Sequence, residues 1–316
     1  MLSRTAENLF WMTRCMERAD TMARLLEVGY RISLMPSTGE GHRNEWESIL
    51  TASGTADAYR RKYGKPVQRD VETFLFFDRE NPSSVASCVE RARDNARIVR
   101  TAITSQVWEA LNGAFQDLKR LDRMARSRAE LPMLCDWTNS NAAQVRGAIE
   151  STQLQQDGYD FMCLGYYLER GDNTARLLDV KYHVLLPTTH RVGGSLDNYQ
   201  WTTLLRSVSG LRAFHWSYGG DYTPAKIAHF LILNTACPRS LLHCAEQAVH
   251  HLERLGRAYG TKTAAQSAAR ALFARLAEAE IGDIFDDGLH EFLGRFIGEN
   301  AALAGAVADS YLFGGR

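Results

Sequence analysis

Apolar residues recur along most of this chain at the three- and four-residue spacing of an amphipathic helix. Nowhere do β-branched residues alternate with polar ones over the length of a strand. The 7 prolines fall mostly between the periodic segments, where helices end. The pattern therefore predicts an all-α protein. We expect helices at 3–33, 42–63, 83–126 with a break near 104, 134–156, 157–185, 196–218, 239–257, 262–280 and 284–313.

The two halves of the chain repeat each other. A shift of 152 residues lays 17–30 over 169–182, with nine of fourteen positions identical. Shifts of 155 and 156 then pair Trp46 with Trp201, Pro82 with Pro238, Ser84 with Ser240 and Cys88 with Cys244. A slowly growing offset is typical of an old duplication with small insertions. We predict a tandem-duplicated helical bundle with pseudo-twofold symmetry, whose repeats, 1–156 and 157–316, pack as one structural unit.

A Glu-Arg pair begins a ladder of charges in each copy of the repeated helix. The ladders are Glu17, Asp20, Arg24 and Glu27 in the first copy and Glu169, Asp172, Arg176 and Asp179 in the second. Spacings of three, four and seven place each ladder on one face of its helix. The remaining faces are largely apolar, which is typical of a buried helix. Because buried carboxylates need partners, we expect Glu17 and Glu169 to pair with arginines, and Arg18 and Arg170 are the candidates across the pseudo-twofold axis.

Two interpretations of the ladders remain open. In the first, the ion pairs only lock the register of a duplicated core. In the second, arginines bind a carboxylate or phosphate bidentately, while a glutamate acts as a base. A site of this kind needs a water-filled pocket that exposes Glu17 or Arg18. The candidate catalytic residues are Glu17 and Glu169, and the candidate binding residues are Arg18, Arg24, Arg170 and Arg176.

A third Glu-Arg pair lies in the segment 88–100. Glu90 and Arg91 repeat the spacing of the first helix and join the candidate binding residues. The corresponding part of the second half keeps Glu246 but has Gln247 in place of the arginine. The two halves are therefore chemically unequal, and a site could be single rather than paired.

Composition excludes several classes of partner. Lys and Arg number 37, as do Asp and Glu, so no net positive charge attracts nucleic acid or an anionic membrane. No run of about 20 apolar residues could span a bilayer, and the first twenty residues lack the features of a secretory signal. We expect a cytoplasmic protein. The 6 cysteines form no CxxC pair and lie in apolar segments, so we expect buried, reduced thiols.

Motifs for metal or nucleophilic chemistry are missing from the sequence. A di-iron helical bundle needs ExxH steps, and the sequence contains none. Neither GxSxG nor a phosphate-binding loop with a flanking Lys-Ser or Lys-Thr occurs. We therefore predict no metal and no cofactor.

Several long motifs resemble one protein family. They are MLSRTAENLFWMTRCMERADTMARLLEV at the start, NPSSVASCVERARDNAR at 81–97, GYYLERGDNTARLLDVKYH at 165–183 and CPRSLLHCAEQA at 237–248. These residues resemble the alpha-E family, an all-helical bacterial domain with an ER motif that is typically found as a tandem duplication. The family's motif corresponds to Glu17-Arg18, Glu90-Arg91 and Glu169-Arg170, whereas Gln247 departs from it.

The resemblance implies a role in a bacterial peptide synthesis or modification system. There the protein would be an accessory or interaction protein that works with a circularly permuted ATP-grasp amide ligase and a transglutaminase-like protein, and a peptide is a further candidate partner. One alternative is an enzyme of the same pathway that uses the paired Glu-Arg motifs for carboxylate binding and acid-base chemistry. Another is a metal-dependent helical-bundle oxidoreductase.

Overall fold

The computed structural model describes residues 1–34, 45–123, 130–185 and 195–314, with the side chains of 181–185 and 195–198 excepted. These ranges contain helices and no strand, so the predicted all-α fold is confirmed. The helices are α1 (Ser3–Ser33), α2 (Glu45–Ala52), α3 (Ala56–Tyr63), α4 (Gln68–Glu72) with a π-helical continuation (Thr73–Phe77), α5 (Val85–Ile98), α6 (Ser105–Arg123), α7 (Leu131–Thr152), α8 (Asp157–Leu185), α9 (Ser195–Ser207), α10 (Leu211–Tyr218), α11 (Pro224–Ile232), α12 (Leu241–Tyr259), α13 (Ala264–Ala277), α14 (Ile281–Asp286) and α15 (Leu289–Ser310).

Two groups of four long helices form the body of the fold. In the first group α1 packs on α5 and α7, and α6 contacts both of these. In the second group α8 packs on α12 and α15, and α13 contacts both. One hydrophobic core runs through both groups, because the buried side chains form a single connected cluster. The tandem duplication and its pseudo-twofold symmetry stay predictions from the sequence.

Helices α1 and α8 form the centre of the molecule and run in the same direction. Their closest approach is at Gly165, where an added Cβ would lie 2.2 Å from the backbone oxygen of Phe10. Beside it the hydroxyl of Thr13 donates to the carbonyl of Met162 at 2.7 Å. The missing side chain at Gly165 thus lets the two backbones come together.

Two short helices, α2 and α9, each pack on the central helix of the opposite half of the chain. Helix α2 packs on α8, and α9 packs on α1. Each short helix ends at a residue with left-handed backbone, Gly54 (φ 70°) after α2 and Ser209 (φ 57°) after α9. The C-terminal carbonyls of these helices accept hydrogen bonds from the central helices: Arg176 donates to Ala52 at 3.3 Å, and Arg24 donates to Ser207. Cationic side chains at a helix C-terminus satisfy its free carbonyls, so these arginines connect the two halves.

The sequence predicted the central helices correctly and the short ones poorly. The predicted helices 3–33 and 157–185 match α1 and α8. The predicted helices 42–63, 196–218 and 284–313 are each two helices, because a turn of a few residues interrupts an otherwise helical pattern. Helices α4 and α11 were missed, since their 5 and 9 residues are too few for a helical period to be recognised. The predicted helical residues 42–44 and 124–126 lie outside the described residues.

Two further expectations concerned the burial of the cysteines and the absence of a membrane-spanning run. All six cysteines are buried. Within the described ranges, no helix combines the length and hydropathy needed to cross a membrane.

The close approach at Gly165 predicts a specific sensitivity. Gly165→Ala should lower the free energy of unfolding by about 1–3 kcal/mol, because the new methyl group forces α1 and α8 apart. Urea unfolding measures this change. Gly147→Ala on α7 is the control: nothing lies within 4 Å of its added Cβ, and it should stabilise the protein by about 0.5–1 kcal/mol. Equal effects of the two substitutions would contradict the packing described here.

Candidate functional site

The two central Glu-Arg pairs are crossed between α1 and α8. Arg18 donates to both carboxylate oxygens of Glu169, at 2.5 and 2.9 Å. Arg170 donates to both oxygens of Glu17, at 2.7 and 3.1 Å. The arginine partners expected from the sequence are therefore present, and both pairs have the bidentate geometry of strong guanidinium-carboxylate recognition. We call Glu17, Arg18, Glu169 and Arg170 the ER core.

The carboxylates of the ER core are almost completely buried. Glu17 is 3% exposed and Glu169 is 1% exposed, whereas the Arg18 side chain is 23% exposed. Burial raises the pKa of Glu169, but Arg18 and Arg14 more than offset this effect, so its pKa lies below the usual value. Glu169 is therefore ionised and occupied by arginines, which makes it a poor proton acceptor.

A second arginine contacts each glutamate, and the two come from different places. Arg14, one turn before Arg18, donates to Glu169 at 2.8 Å. Arg239, in the turn before α12, donates to Glu17 at 3.3 Å. At the repeat offsets of 152 and 156, Arg14 corresponds to Tyr166, and Arg239 corresponds to Ser83. The second arginine at each glutamate thus comes from a position that has no arginine in the other half.

The turn that carries Arg239 is held by its own hydrogen bonds. The Ser240 hydroxyl accepts from the amide of His243 at 3.0 Å, which caps α12. The same hydroxyl donates to the carbonyl of Asn234 at 2.6 Å. A serine cap at this position fixes where the chain enters the helix. Arg239 therefore projects toward the ER core from a hydrogen-bonded turn.

Arg239 also changes the next step of the first ladder. It donates to Asp20 at 2.9 Å, and Arg24 donates to the same carboxylate at 2.7 and 3.0 Å. Burial raises the pKa of Asp20, but Arg24 and Arg239 together hold it well below its usual value. In the second ladder Asp172 binds Arg176 at 2.6 Å and has no other cationic partner among the described residues, and burial raises its pKa above the usual value.

An open cleft of about 460 Å³ lies beside this cluster. Four arginines line it, namely Arg24, Arg146, Arg170 and Arg239. Its other walls come from α7, from the turn between α9 and α10, and from α11. We call it the arginine cleft. Its volume is within the range of about 300–1,000 Å³ that small-molecule sites occupy.

The arginine cleft carries an excess of positive charge. Among the described residues, its four guanidinium groups form ion pairs only with Glu17 and Asp20, which leaves two positive charges uncompensated. Arg146 has no carboxylate partner in the described ranges and donates only to the hydroxyl of Tyr166. Burial lowers the pKa of Arg239, and repulsion from Arg170 and Arg24 lowers it further. An anion in the cleft would relieve this repulsion.

A narrow crevice of about 40 Å³ adjoins the cleft and shares Arg146 with it. It lies between α1, α7 and α8, and we call it the tyrosine crevice. Three tyrosines line it, Tyr159, Tyr166 and Tyr167, and most of its other walls are apolar. The Arg170 guanidinium lies over the ring of Tyr166, 4.0 Å from its centroid. Tyr166 thus lies between the crevice and the arginines of the cleft.

The predicted site residues are divided among four places. Arg24 and Arg170 line the cleft, and Glu17 lines the crevice. Arg18, Glu169 and Arg176 line neither space: Arg18 binds Glu169, and Arg176 binds Asp172. Glu90 pairs with Arg79 at 3.0 Å, while Arg91 is exposed. The third Glu-Arg pair therefore takes no part in the cleft.

Three contributing arginines were missed by the sequence analysis: Arg14, Arg146 and Arg239. A signal existed for Arg239, since it replaces Ser83 in a turn where the flanking proline and serine of the two halves match. No such signal marked Arg146, which reaches the cleft only through the packing of α7. Among the described residues, no group of three or more His, Cys, Asp or Glu side chains is placed to hold a metal ion.

The chain belongs to the Alpha-E family, described as a predicted alpha-helical domain with a conserved ER motif, whose profile matches residues 1–312. An uncharacterized protein of Mycobacterium bovis is 25% identical over 268 residues, which are 80% of this chain and 29% of the relative. Uncharacterized proteins of two Mycobacterium tuberculosis strains match to the same extent. The chain thus matches less than a third of the length of these relatives. No solved structure is significantly similar to the chain.

The crossed pairing predicts a large cost for removing one charge. Glu169→Gln should lower the free energy of unfolding by about 3–5 kcal/mol, because Arg14 and Arg18 would lose their buried counter-charge. Urea unfolding measures the loss. Glu109→Gln is the control, since Glu109 is exposed and surface substitutions change stability by about 0.5 kcal/mol or less. A loss under about 1 kcal/mol for Glu169→Gln would show that the pair is not buried as described.

The lowered pKa values of Asp20 and Glu169 predict a loss of stability in acid. Both groups bind protons less readily in the folded than in the unfolded chain, so their contribution is complete above the unfolded pKa values, near 4, and is lost as the pH falls below them. The free energy of unfolding, measured in urea at pH 7 to 3, should fall below about pH 4. Asp20→Asn should lower stability at pH 7 and flatten the decline. An unchanged slope in this variant would rule out Asp20 as a source of the acid sensitivity.

Proposed function

We propose that this Alpha-E protein is an accessory component of a bacterial peptide synthesis or modification system and binds an anionic group of the peptide in the arginine cleft. In this role it works with a circularly permuted ATP-grasp amide ligase and a transglutaminase-like protein, the partners that the family resemblance implies. The observation that carries the binding role is the excess of two positive charges in an open cleft of suitable size. Guanidinium groups are the usual ligands for carboxylates and phosphates.

The state of the glutamates favours binding over catalysis. An enzyme of the same pathway would need Glu17 or Glu169 to accept a proton from a substrate. Both carboxylates are buried, and each is engaged by two arginines. The arginines of the cleft line an open cavity, and one of them, Arg146, has no carboxylate partner among the described residues. The site is therefore better suited to hold a charged group than to transfer its proton.

The length of the relatives supports an accessory role. The region shared with this chain makes up 29% of each mycobacterial relative. In those proteins the region is thus joined to a much longer polypeptide. A domain that supplies binding rather than a complete reaction is compatible with such an arrangement.

The binding role predicts stabilisation by anions. Inorganic phosphate and acetate should raise the melting temperature of the chain, because a ligand that binds only the folded state stabilises it by about 2.7 kcal/mol at 100 times its dissociation constant. Arg146→Gln should abolish the effect without unfolding the protein, since Arg146 has no carboxylate partner among the described residues. Arg212→Gln is the matched control, because Arg212 is exposed on α10 and lies outside the cleft. Equal anion responses of the two variants would refute the assignment of the cleft.

The accessory role is tested with the ligase itself. The full chain and the ATP-grasp ligase from the same organism are co-expressed, and complex formation and the rate of amide formation are measured. The chain should form a complex with the ligase and raise its rate, and Arg146→Gln should reduce the rate while Arg212→Gln does not. Amide formation by the chain without the ligase would favour the enzyme alternative instead. A ligase that neither binds the chain nor responds to it would refute the accessory role.

A further inference from the structure

The arginine cleft and the tyrosine crevice lie one after the other along α7. Asn139, Ser140, Ala143 and Arg146 face the cleft, while Ala142, Val145, Arg146, Ile149 and Glu150 face the crevice. The eleven residue steps from Asn139 to Glu150 correspond to about 17 Å of helix. This is the length of about five residues of extended peptide. One helix thus forms the common wall of a polar and a mainly apolar compartment.

Arg146 is the junction between the two compartments. Its Nη1 donates to Tyr166, which lines the crevice, and its remaining guanidinium nitrogens have no partner among the described residues. A carboxylate could bind these nitrogens together with those of the neighbouring cleft arginines. It would then lie beside the entrance of the crevice, which Arg146 also lines. A substituent on the adjacent carbon atom could therefore enter the crevice while the carboxylate stays in the cleft.

The size and lining of the crevice restrict this substituent. Apolar walls are provided by Met16, Val145, Ile149 and Met162. The volume of about 40 Å³ is well below the ~150 Å³ of a cavity that takes up benzene. The crevice can thus hold one or a few methyl groups, but no aromatic ring.

Asn139 offers a further contact at the far end of the cleft. Its Oδ1 atom is buried and has no hydrogen-bond partner in the described ranges. Buried polar atoms are rarely left without a partner, so this acceptor is suited to a donor from a ligand. Asn139 lies two helical turns before Arg146, about 10 Å along α7, which corresponds to about three residues of extended peptide.

We propose that the two compartments bind the C-terminus of a peptide that ends in a small aliphatic residue such as alanine or valine. The terminal carboxylate binds Arg146 and the neighbouring arginines, the last side chain enters the tyrosine crevice, and a backbone N–H further back donates to Asn139. This inference rests on the proposed anion-binding role of the arginine cleft and names the class of ligand.

The test compares acetylated amino acids as ligands of the whole chain by isothermal titration calorimetry. N-acetylvaline, which has three more side-chain carbons than N-acetylglycine, should bind about 60-fold more tightly, because each buried carbon adds about 0.8 kcal/mol, or a factor of about four. N-acetylphenylalanine should bind no more tightly than N-acetylglycine, and N-acetylvaline amide should not bind. Inorganic phosphate should bind with an affinity similar to that of N-acetylglycine, because both ligands occupy the cleft and leave the crevice empty.

The outcomes separate this inference from the binding role on which it rests. Equal affinities for the glycine and valine ligands, or a preference for phenylalanine, would overturn the inference and leave anion binding intact. No binding of phosphate or of any carboxylate would overturn both. Because the ligand series uses only the unmodified chain, it does not depend on the folding of any variant.

Substitutions on α7 provide a second, independent test. Ala142→Leu should fill the crevice and remove the preference for valine over glycine, while phosphate binding is kept. Gln144→Leu is the matched control, since Gln144 is exposed on the same helix and lines neither compartment. Asn139→Leu should weaken binding of N-acetyl-Ala-Ala-Val more than binding of N-acetylvaline. A preference for valine that survives in folded Ala142→Leu would show that the crevice does not receive the side chain.

Discussion

Two carboxylates buried between parallel helices are the constraint on which this fold depends. Glu17 and Glu169 lie where α1 and α8 meet, in an interior that leaves an unpaired charge strongly unfavourable. Each is neutralised by the arginine that follows the other in sequence. Because each glutamate needs an arginine from the opposite helix, the pairing fixes the register of α1 against α8. The rest of each half then packs around these two helices.

The same ladders extend the constraint outward. One turn beyond each glutamate, an aspartate holds an arginine, and that arginine donates to the C-terminal carbonyl of a short helix from the other half. The charges thus form continuous connections from the centre to the exchanged helices α2 and α9. Such connections give a structural reason for the ladders in both copies, whether or not a ligand binds.

The candidate site comes from a departure from this regularity. Around Glu169 the second arginine is Arg14, which lies on α1, so this contact again joins α1 to α8. Around Glu17 the second arginine is Arg239, which comes from a turn and serves two carboxylates at once. Together with Arg146 on α7, it leaves more positive than negative charge at one side of the core. The excess of positive charge therefore lies beside Glu17, although both central helices carry a Glu-Arg pair.

The sequence alone determined the helical class, the extents of α1 and α8, the ladders and the need of Glu17 and Glu169 for arginine partners. These features follow from periodicity and from the cost of buried charge, which are properties of one helix at a time. Only the tertiary structure decided which arginines line the cleft. Arg146 and Arg239 reach the cleft from segments far apart in the chain. Arg170 lines the cleft, whereas Arg18, which looks equivalent in sequence, does not. The packing of distant segments decides where charge is left uncompensated, and no local pattern records it.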